Sequence, residues 1–244
     1  FEKVESLSYS PFEGYDKKVL SPKQIEEDVS MLSHFTSKVR TYSTADAKVI
    51  LEATSKTDLP VDLGIWISGD HKENHLEIQR ALKLLEQYPD NIANVIVGNE
   101  TLLRADLNEE ELFAYIDFVA EFTNKPITCA ETWDVWERIP TLANHVDFIT
   151  IHILPYWEKV PIERFNDFII EKYSVVENLF PYKKINIGET GWPSHGYNNN
   201  NAVPSLKNQA VAIRGFINLA SQKGWDYNIV EAFDQQWKGY DEGN

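Results

Sequence analysis

Cysteine is nearly absent from this chain: Cys129 stands alone, so no intrachain disulfide can form, and cysteine content leaves the redox compartment open. Basic residues are scarce, 23 against 38 acidic ones, and the net charge of −15 argues against nucleic acid or an anionic membrane surface as partner. Both of those need clustered Lys and Arg, whereas a neutral ligand such as a polysaccharide tolerates the charge. No apolar stretch approaches the roughly 20 residues of a membrane helix, and no signal peptide is visible. A G-x-G-x-x-G turn, a P-loop and a nucleophile elbow are missing as well, which disfavours dinucleotide, phosphoryl-transfer and serine-hydrolase chemistry. His71 and His75 have the i, i+4 spacing of a zinc helix. Lys72 sits where the H-E-x-x-H motif needs its glutamate, however, and no third ligand is evident, so neither a metal nor a cofactor is expected.

What is present is an ordinary globular balance, 43% hydrophobic and 25% charged, in a chain long enough for one sizeable core. Strand-like runs fall at 6–12, 38–43, 61–68, 92–98, 126–131, 147–154, 184–189 and 227–233. Amphipathic helices lie between them with recognisable start and stop signals. Ser21-Pro22 precedes Ile25, Val29 and Leu32; Asn108 pairs with Glu111 ahead of Leu112, Tyr115, Ile116 and Val119. Ser205 precedes Val211, Phe216 and Leu219 in a helix that stops at Gly224. Eight strands alternating with helices predict a (β/α)₈ TIM barrel in a single domain over 1–244, with the closing C-terminal helix short or absent. An open doubly wound sheet is the competitor, but the first strand runs into Tyr9-Ser10-Pro11-Phe12 without a phosphate-binding turn. Asp147 and Asp226, at strand starts, are expected to plug the bottom of the barrel. The stretch His195 to Asn201 reads as a surface loop after strand seven.

Two phrases carry the chemistry. Val97-Gly98-Asn99-Glu100 ends strand four, and Ile187-Gly188-Glu189-Thr190-Gly191-Trp192-Pro193 ends strand seven. In a parallel barrel both glutamates therefore open into the same C-terminal bowl. Cleavage of a glycosidic bond needs such a pair, one carboxylic acid to protonate the departing oxygen and one carboxylate across the ring. Asn99 beside the acid can hydrogen-bond the sugar 2-hydroxyl. A strand-end glutamate taken singly can equally cap a helix, but two in these contexts point to catalysis. The strand-end tryptophans Trp66, Trp133, Trp157, Trp192 and Trp237 offer ring faces on which pyranoses stack.

Val97-Gly98-Asn99-Glu100 and Gly188-Glu189-Thr190-Gly191-Trp192-Pro193-Ser194 resemble glycoside hydrolase family 17, the β-1,3-glucanases and β-glucan transglycosylases. Arg40-Thr41-Tyr42, Leu154-Pro155-Tyr156 and Glu231-Ala232-Phe233-Asp234 with Trp237-Lys238 support the resemblance along nearly the whole chain. It implies that Glu100 is the acid/base and Glu189 the nucleophile of a retaining mechanism, with Glu100 protonated near neutral pH and Glu189 ionised. Ala130-Glu131-Thr132-Trp133, Val135-Trp136 and the segment from His152 to Tyr156-Trp157 look most like bacterial members. Some of those sit beside membrane glycosyltransferases, so a place in a larger membrane-associated protein is one expectation. Gln235 departs from the acid that many relatives carry after the Phe-Asp pair.

The remaining expected substrate-binding residues are Tyr42, Glu131, Trp133, Tyr156, Trp192, Glu231 and Lys238. Tyr42 is expected to orient Glu189 or a sugar hydroxyl, Tyr156 to place a phenol near the nucleophile, and Trp192 to stack on a ring. Glu231 stands between a sugar contact and a structural ion pair. The reading is a hydrolase acting on β-1,3-glucan. Glucanosyl transfer is the alternative within the same chemistry, and a non-catalytic glucan-binding barrel the alternative outside it. An extracytoplasmic location and a monomer follow as expectations from the substrate class and from the lack of any other signal.

Overall fold

The computed structural model describes residues 3–238. Strands β1 (Leu7–Ser8), β4 (Val39–Arg40), β5 (Val61–Ile65), β6 (Ile92–Asn99), β7 (Ile127–Thr132), β8 (Ile149–His152), β9 (Ile185–Thr190) and β10 (Asp226–Ile229) form one closed parallel barrel. Closure is made by β1, which pairs with β4 on one side and with β10 on the other. Helices α1 (Pro22–Phe35), α2 (Thr44–Thr54), α3 (His71–Gln87), α4 (Glu109–Ala120), α5 (Trp133–Arg138), α6 (Phe165–Leu179) and α7 (Leu206–Lys223) alternate with the strands. The expected (β/α)₈ barrel is thus the fold. Among the described residues no α-helix follows β10; only a short 3₁₀ turn at Gln236–Lys238 does.

Each expected strand is found, several trimmed to the residues that pair. The segment expected as 6–12 splits: after β1 the chain turns into a two-stranded antiparallel hairpin, β2 (Phe12–Glu13) and β3 (Lys18–Val19), which stands outside the barrel. Pro11 explains the break, because its ring removes the N–H that a barrel strand would need.

The helix signals work as read. Ser21 and Asn108 form capping boxes with Gln24 and Glu111, Ser205 caps through the Asn208 N–H, and Gly224 ends α7 in the left-handed conformation. One face differs. Val211 is 54% exposed, and α7 buries Ala212, Phe216 and Ala220 instead. Those three follow one helical stripe at i, i+4 spacing, from which Val211 is rotated by about 100°.

Alternation along the strands separates two cores. Ile149, Ile151, Ile153, Ile185 and Ile187 are fully or nearly buried on the face covered by the helices. Thr128, Thr150, His152, Gly188, Asn228 and Arg40 fall on the inner face, which is buried yet polar. Thr128 donates to Thr150 at 3.0 Å, and the Asn228 amide donates to the Gly188 carbonyl at 3.0 Å. Gly188 has no side chain for a steric reason: a Cβ there would overlap Thr150 Cγ2 and lie 3.0 Å from Arg40 Nη1. At the other end of the barrel, Asp147 accepts the Ile127 N–H at 2.7 Å and Asp226 pairs with Lys184. Asp147 is exposed and Asp226 half-buried, so these contacts brace the strand starts at the surface, and the expected plugging of the barrel is not seen.

Candidate active site

The end of β6 is irregular. Its register against β7 slips between Ile96 and Asn99, Gly98 has φ +84°, and Glu100 itself is left-handed at φ +54°. A bulge of this kind re-aims the following side chain, here turning Glu100 into the bowl. Opposite it, β9 delivers Glu189. One oxygen of Glu100, one of Glu189 and a ring nitrogen of His152 all lie within 4.8 Å of one another. The two carboxyl groups, brought from distant parts of the chain, therefore share one pocket.

Arg40 organises that pocket. It is 1% exposed, and its guanidinium donates from Nη2 to Asn99 Oδ1 and from Nη1 to the Gly188 carbonyl, both at 2.6 Å. Nη1 also lies 3.1 Å from His152 Nε2 and 3.6 Å from Glu189 Oε1. Arg is always a donor, so His152 accepts at Nε2 and carries its proton on Nδ1. That proton is donated to Glu100 Oε1 at 2.6 Å. A second chain approaches from the barrel interior: Asn228 donates to Ser8 at 2.7 Å, Ser8 to the Tyr42 hydroxyl at 2.8 Å, and Tyr42 to Glu189 Oε1 at 2.7 Å. Burial, and then the charge of Glu189, hold the Tyr42 phenol far above its usual range, so it stays protonated and donates.

Burial is the largest influence on Glu100 and pushes its carboxyl upward. The His152 hydrogen bond, with the positive charges of Arg104 and Arg40, outweighs it and leaves Glu100 below the ordinary carboxylate range. This direction is opposite to the protonated Glu100 that the resemblance implies. Its physical reason is the Nδ1–H of His152, which stabilises the ionised form.

The other expected residues divide. Asn99, Tyr42, Trp133, Tyr156, Trp192, Glu231 and Lys238 line one cleft of about 840 Å³ with both glutamates. Tyr156, however, donates to the Tyr197 carbonyl at 2.6 Å, so the phenol on the nucleophile is that of Tyr42. Trp192 is 3% exposed and donates its indole N–H to the Val203 carbonyl at 3.0 Å; it anchors a loop and offers no open ring face. The expected surface loop is likewise tied down, since Asn199 donates to the Tyr156 carbonyl at 2.8 Å. Glu231 accepts from Lys238 at 2.6 Å, an ion pair on the cleft wall, and burial raises the carboxyl despite it. Trp133 keeps an orientation fixed by Glu158, which accepts its indole N–H at 3.1 Å. His71 and His75 are engaged elsewhere: His71 contacts the Tyr115 hydroxyl and His75 the His71 carbonyl.

Glu131 is a correction. It is fully buried, does not line the cleft, and accepts the backbone N–H groups of Leu102 (2.7 Å) and Leu103 (3.3 Å). It fixes the turn that follows Glu100. His152, Ser8 and Asn228, and the role of Arg40, escaped the sequence reading. The signal was available for two of them: His152 interrupts an isoleucine-rich strand and Arg40 sits within a short apolar one, on faces where only a partnered polar group survives burial.

Burial raises Glu131 to about 7, against the pull of the two amides. A folded-state value above the unfolded one means that this stability is fully present below pH 4.5 and lost as pH rises through 7. The shift caps the effect at about 3 kcal/mol. Glu131→Gln abolishes the titration, so the Tm difference between variant and parent should move in the variant's favour by several degrees between pH 5 and pH 8. A difference that does not change with pH contradicts a buried carboxyl of raised pKa.

The comparisons agree with this geometry. Residues 6–244 match a family model described as the BtgE/BtgC glycoside hydrolase domain. A glucan 1,3-beta-glucosidase of Schizosaccharomyces pombe is 28% identical over 87% of this chain and 72% of its own length. A probable glucan endo-1,3-beta-glucosidase, btgC, of Aspergillus fumigatus is 27% identical over 89% of this chain, which spans only 36% of that relative. Both are fungal, so the leaning toward bacterial members gains no support from them. Among solved structures, the family 17 β-1,3-glucanosyltransferase of Rhizomucor miehei superposes with a TM-score of 0.90 at 25% identity, covering 99% of this chain and 91% of that one. An endo-laminarinase from Formosa Hel1_33_131 shares the fold at a TM-score of 0.87 and 18% identity, covering 98% and 82%. A match that runs from residue 6 to residue 244 decides the matter: the chain belongs to the BtgE/BtgC glycoside hydrolase domain family and is a glycoside hydrolase or transglycosylase.

Proposed function

We propose that this chain cleaves β-1,3-linked glucan with retention of anomeric configuration, through a covalent glycosyl-enzyme intermediate. The observation that carries the reading is the spacing of the two carboxyl groups, with oxygens within 4.8 Å. Retaining enzymes hold their carboxyl groups about 5–5.5 Å apart, while inverting ones leave about 6.5–9.5 Å for a water molecule. The names of the relatives support β-1,3-glucan as the substrate.

The steps follow from the contacts. Tyr42 donates to Oε1 of Glu189 and Arg40 lies 3.6 Å from the same oxygen, so its Oε2 attacks C1 as the C1–O bond breaks. Glu100, held at Oε1 by His152, gives the proton on its other oxygen to the departing hydroxyl. The ester then neutralises Glu189. Glu100, now a carboxylate, takes a proton from the incoming hydroxyl, which attacks C1 and frees Glu189. Asn99, its carbonyl occupied by Arg40, presents its amide NH₂ to the 2-hydroxyl. Glu100 gains its proton as the sugar displaces water, since burial is already the strongest upward push on it.

Glucanosyl transfer is the second reading, favoured by the aromatic residues along the cleft: Trp66, Trp133, Trp157 and Trp237 can hold an acceptor sugar in place of water. Products longer than the substrate, from laminari-oligosaccharides of defined length, would establish transfer, and exclusively shorter ones hydrolysis. No reducing sugar and no longer product would reject both, leaving the glucan-binding barrel. The described residues contain no helix long and apolar enough to cross a membrane. An extracytoplasmic location belongs to the same proposal, because β-glucans lie outside the cytoplasm.

Glu189→Ala should lose turnover by about four orders of magnitude or more. Glu100→Ala should lose most activity on oligosaccharides but retain some on aryl glucosides with good leaving groups, whose departure needs no protonation although deglycosylation still lacks its base. Near-normal kcat in Glu189→Ala contradicts the assignment of the nucleophile. His152→Phe removes the donor that stabilises ionised Glu100, raising its pKa. The basic limb of the kcat/KM profile, which reports the free enzyme's acid, should therefore move up by on the order of one pH unit. A limb that stays or moves down refutes the role given to His152.

A further inference from the structure

Glu77 is a buried carboxylate that the chemistry described above does not use. It lies on α3, outside the barrel, and is 5% exposed. Its Oε1 accepts the Ser43 hydroxyl at 2.6 Å and an N–H from Nη2 of Arg80 at 3.0 Å. Its Oε2 accepts the backbone N–H of Thr44 at 2.9 Å and that of Trp66 at 3.1 Å. Ser43 and Thr44 directly follow Tyr42, and Trp66 directly follows β5. One carboxylate thus ties the exit of β4 to the exit of β5. The helix grips the same turn again through Thr44, whose hydroxyl donates to the Glu77 carbonyl at 3.1 Å and accepts from Arg80 Nε at 3.2 Å. A close approach pins the turn from another side. A Cβ at Gly64 would overlap the Thr41 carbonyl oxygen and lie 2.6 Å from Tyr42 Cα, so β5 comes this near only without a side chain.

From this arrangement we infer that Glu77 is a positioning residue for the nucleophile, acting through the turn that carries Tyr42. The inference rests on the reading of Glu189 as nucleophile and adds what holds its donor in place. Tyr42 reaches Glu189 Oε1 at 2.7 Å, and a hydrogen bond weakens steeply as its distance and angle degrade. A turn free to shift would lose that contact. Burying a carboxylate is costly unless donors are returned to it, and here two of the donors are the amides that fix the two strand exits. The charged groups around Glu77 are Arg80 on its own helix and Asp46 on α2. Those around Glu189 are Arg40 and Glu231, with the His152 ring beside them.

The pH dependence of kcat/KM on an aryl β-laminaribioside with a good leaving group isolates the nucleophile. Departure of the aryl group needs no proton, so the acidic limb reports protonation of Glu189. Tyr42→Phe sets the scale: without its donor, ionised Glu189 is less stabilised, and the limb should move up by about half a pH unit. Glu77→Asp keeps the charge but draws the carboxylate back by one methylene, and should move the limb in the same direction. In the Tyr42→Phe background it should add nothing. Glu77→Gln removes the charge but keeps an oxygen for the two amides, so the limb should stay. A role through charge alone predicts the reverse, no movement in Glu77→Asp and a downward one in Glu77→Gln. A merely structural role lowers Tm and moves the limb in neither. Either of those results overturns the inference. Should Glu77→Asp not fold, Ser43→Ala removes a donor to the same carboxylate and decides in its place: the limb moves up, or the inference falls. A parent that leaves the substrate uncleaved overturns the reading of Glu189 itself, whereas a parental limb that Glu77→Asp leaves in place overturns only the positioning role.

Discussion

One buried guanidinium holds this site together. Arg40 is buried, and burying a cation is costly unless charge and hydrogen bonds are returned to it. The site returns both, through Asn99, the Gly188 carbonyl, His152 and Glu189. Each of those partners belongs to a different functional element: the amide beside the acid, the backbone beside the nucleophile, the ring that holds the acid, and the nucleophile itself. Partnering the two terminal nitrogens of one guanidinium therefore draws β6, β8 and β9 to a common geometry. It also explains Gly188, since a side chain there would occupy the space through which Nη1 reaches its acceptors.

The same cation governs the protonation pattern. By donating to Nε2 it fixes His152 as the neutral tautomer with its proton on Nδ1, and that proton goes to Glu100. Tyr42 does for Glu189 what His152 does for Glu100: each carboxylate receives one neutral donor on Oε1. The two acids are held alike in the empty cleft and differ in what the substrate later does to them. Glu131 supports the arrangement from beneath, gripping the turn that carries Glu100 by its amides while staying out of the cleft.

The barrel was legible in the sequence because its signals are local. Capping pairs such as Asn108 with Glu111, and apolar runs such as Val61 to Ile65, declare themselves within a few residues. The two glutamates were legible for the same reason, each lying at the end of such a run. Partnerships were not. That Tyr42 rather than Tyr156 holds the nucleophile, that Trp192 turns inward, and that Glu131 faces backbone amides depend on contacts between residues far apart in the chain. Arg40 and His152 fall on the inner face of the barrel, and nothing local in the chain says which atoms they meet there. The hairpin at residues 12–19 was hidden by its shortness, since four paired residues carry too little pattern to separate from a strand end.

The central claim is that Arg40 and its partners hold Glu100 and Glu189 at the spacing of direct nucleophilic attack, leaving no room for water between carboxylate and sugar. Proton NMR of the first product released from a β-1,3-linked oligosaccharide, recorded before mutarotation, tests it directly. The account predicts that the new reducing end, or the new linkage, appears as the β anomer. First appearance of the α anomer would mean single-step inversion and would contradict it.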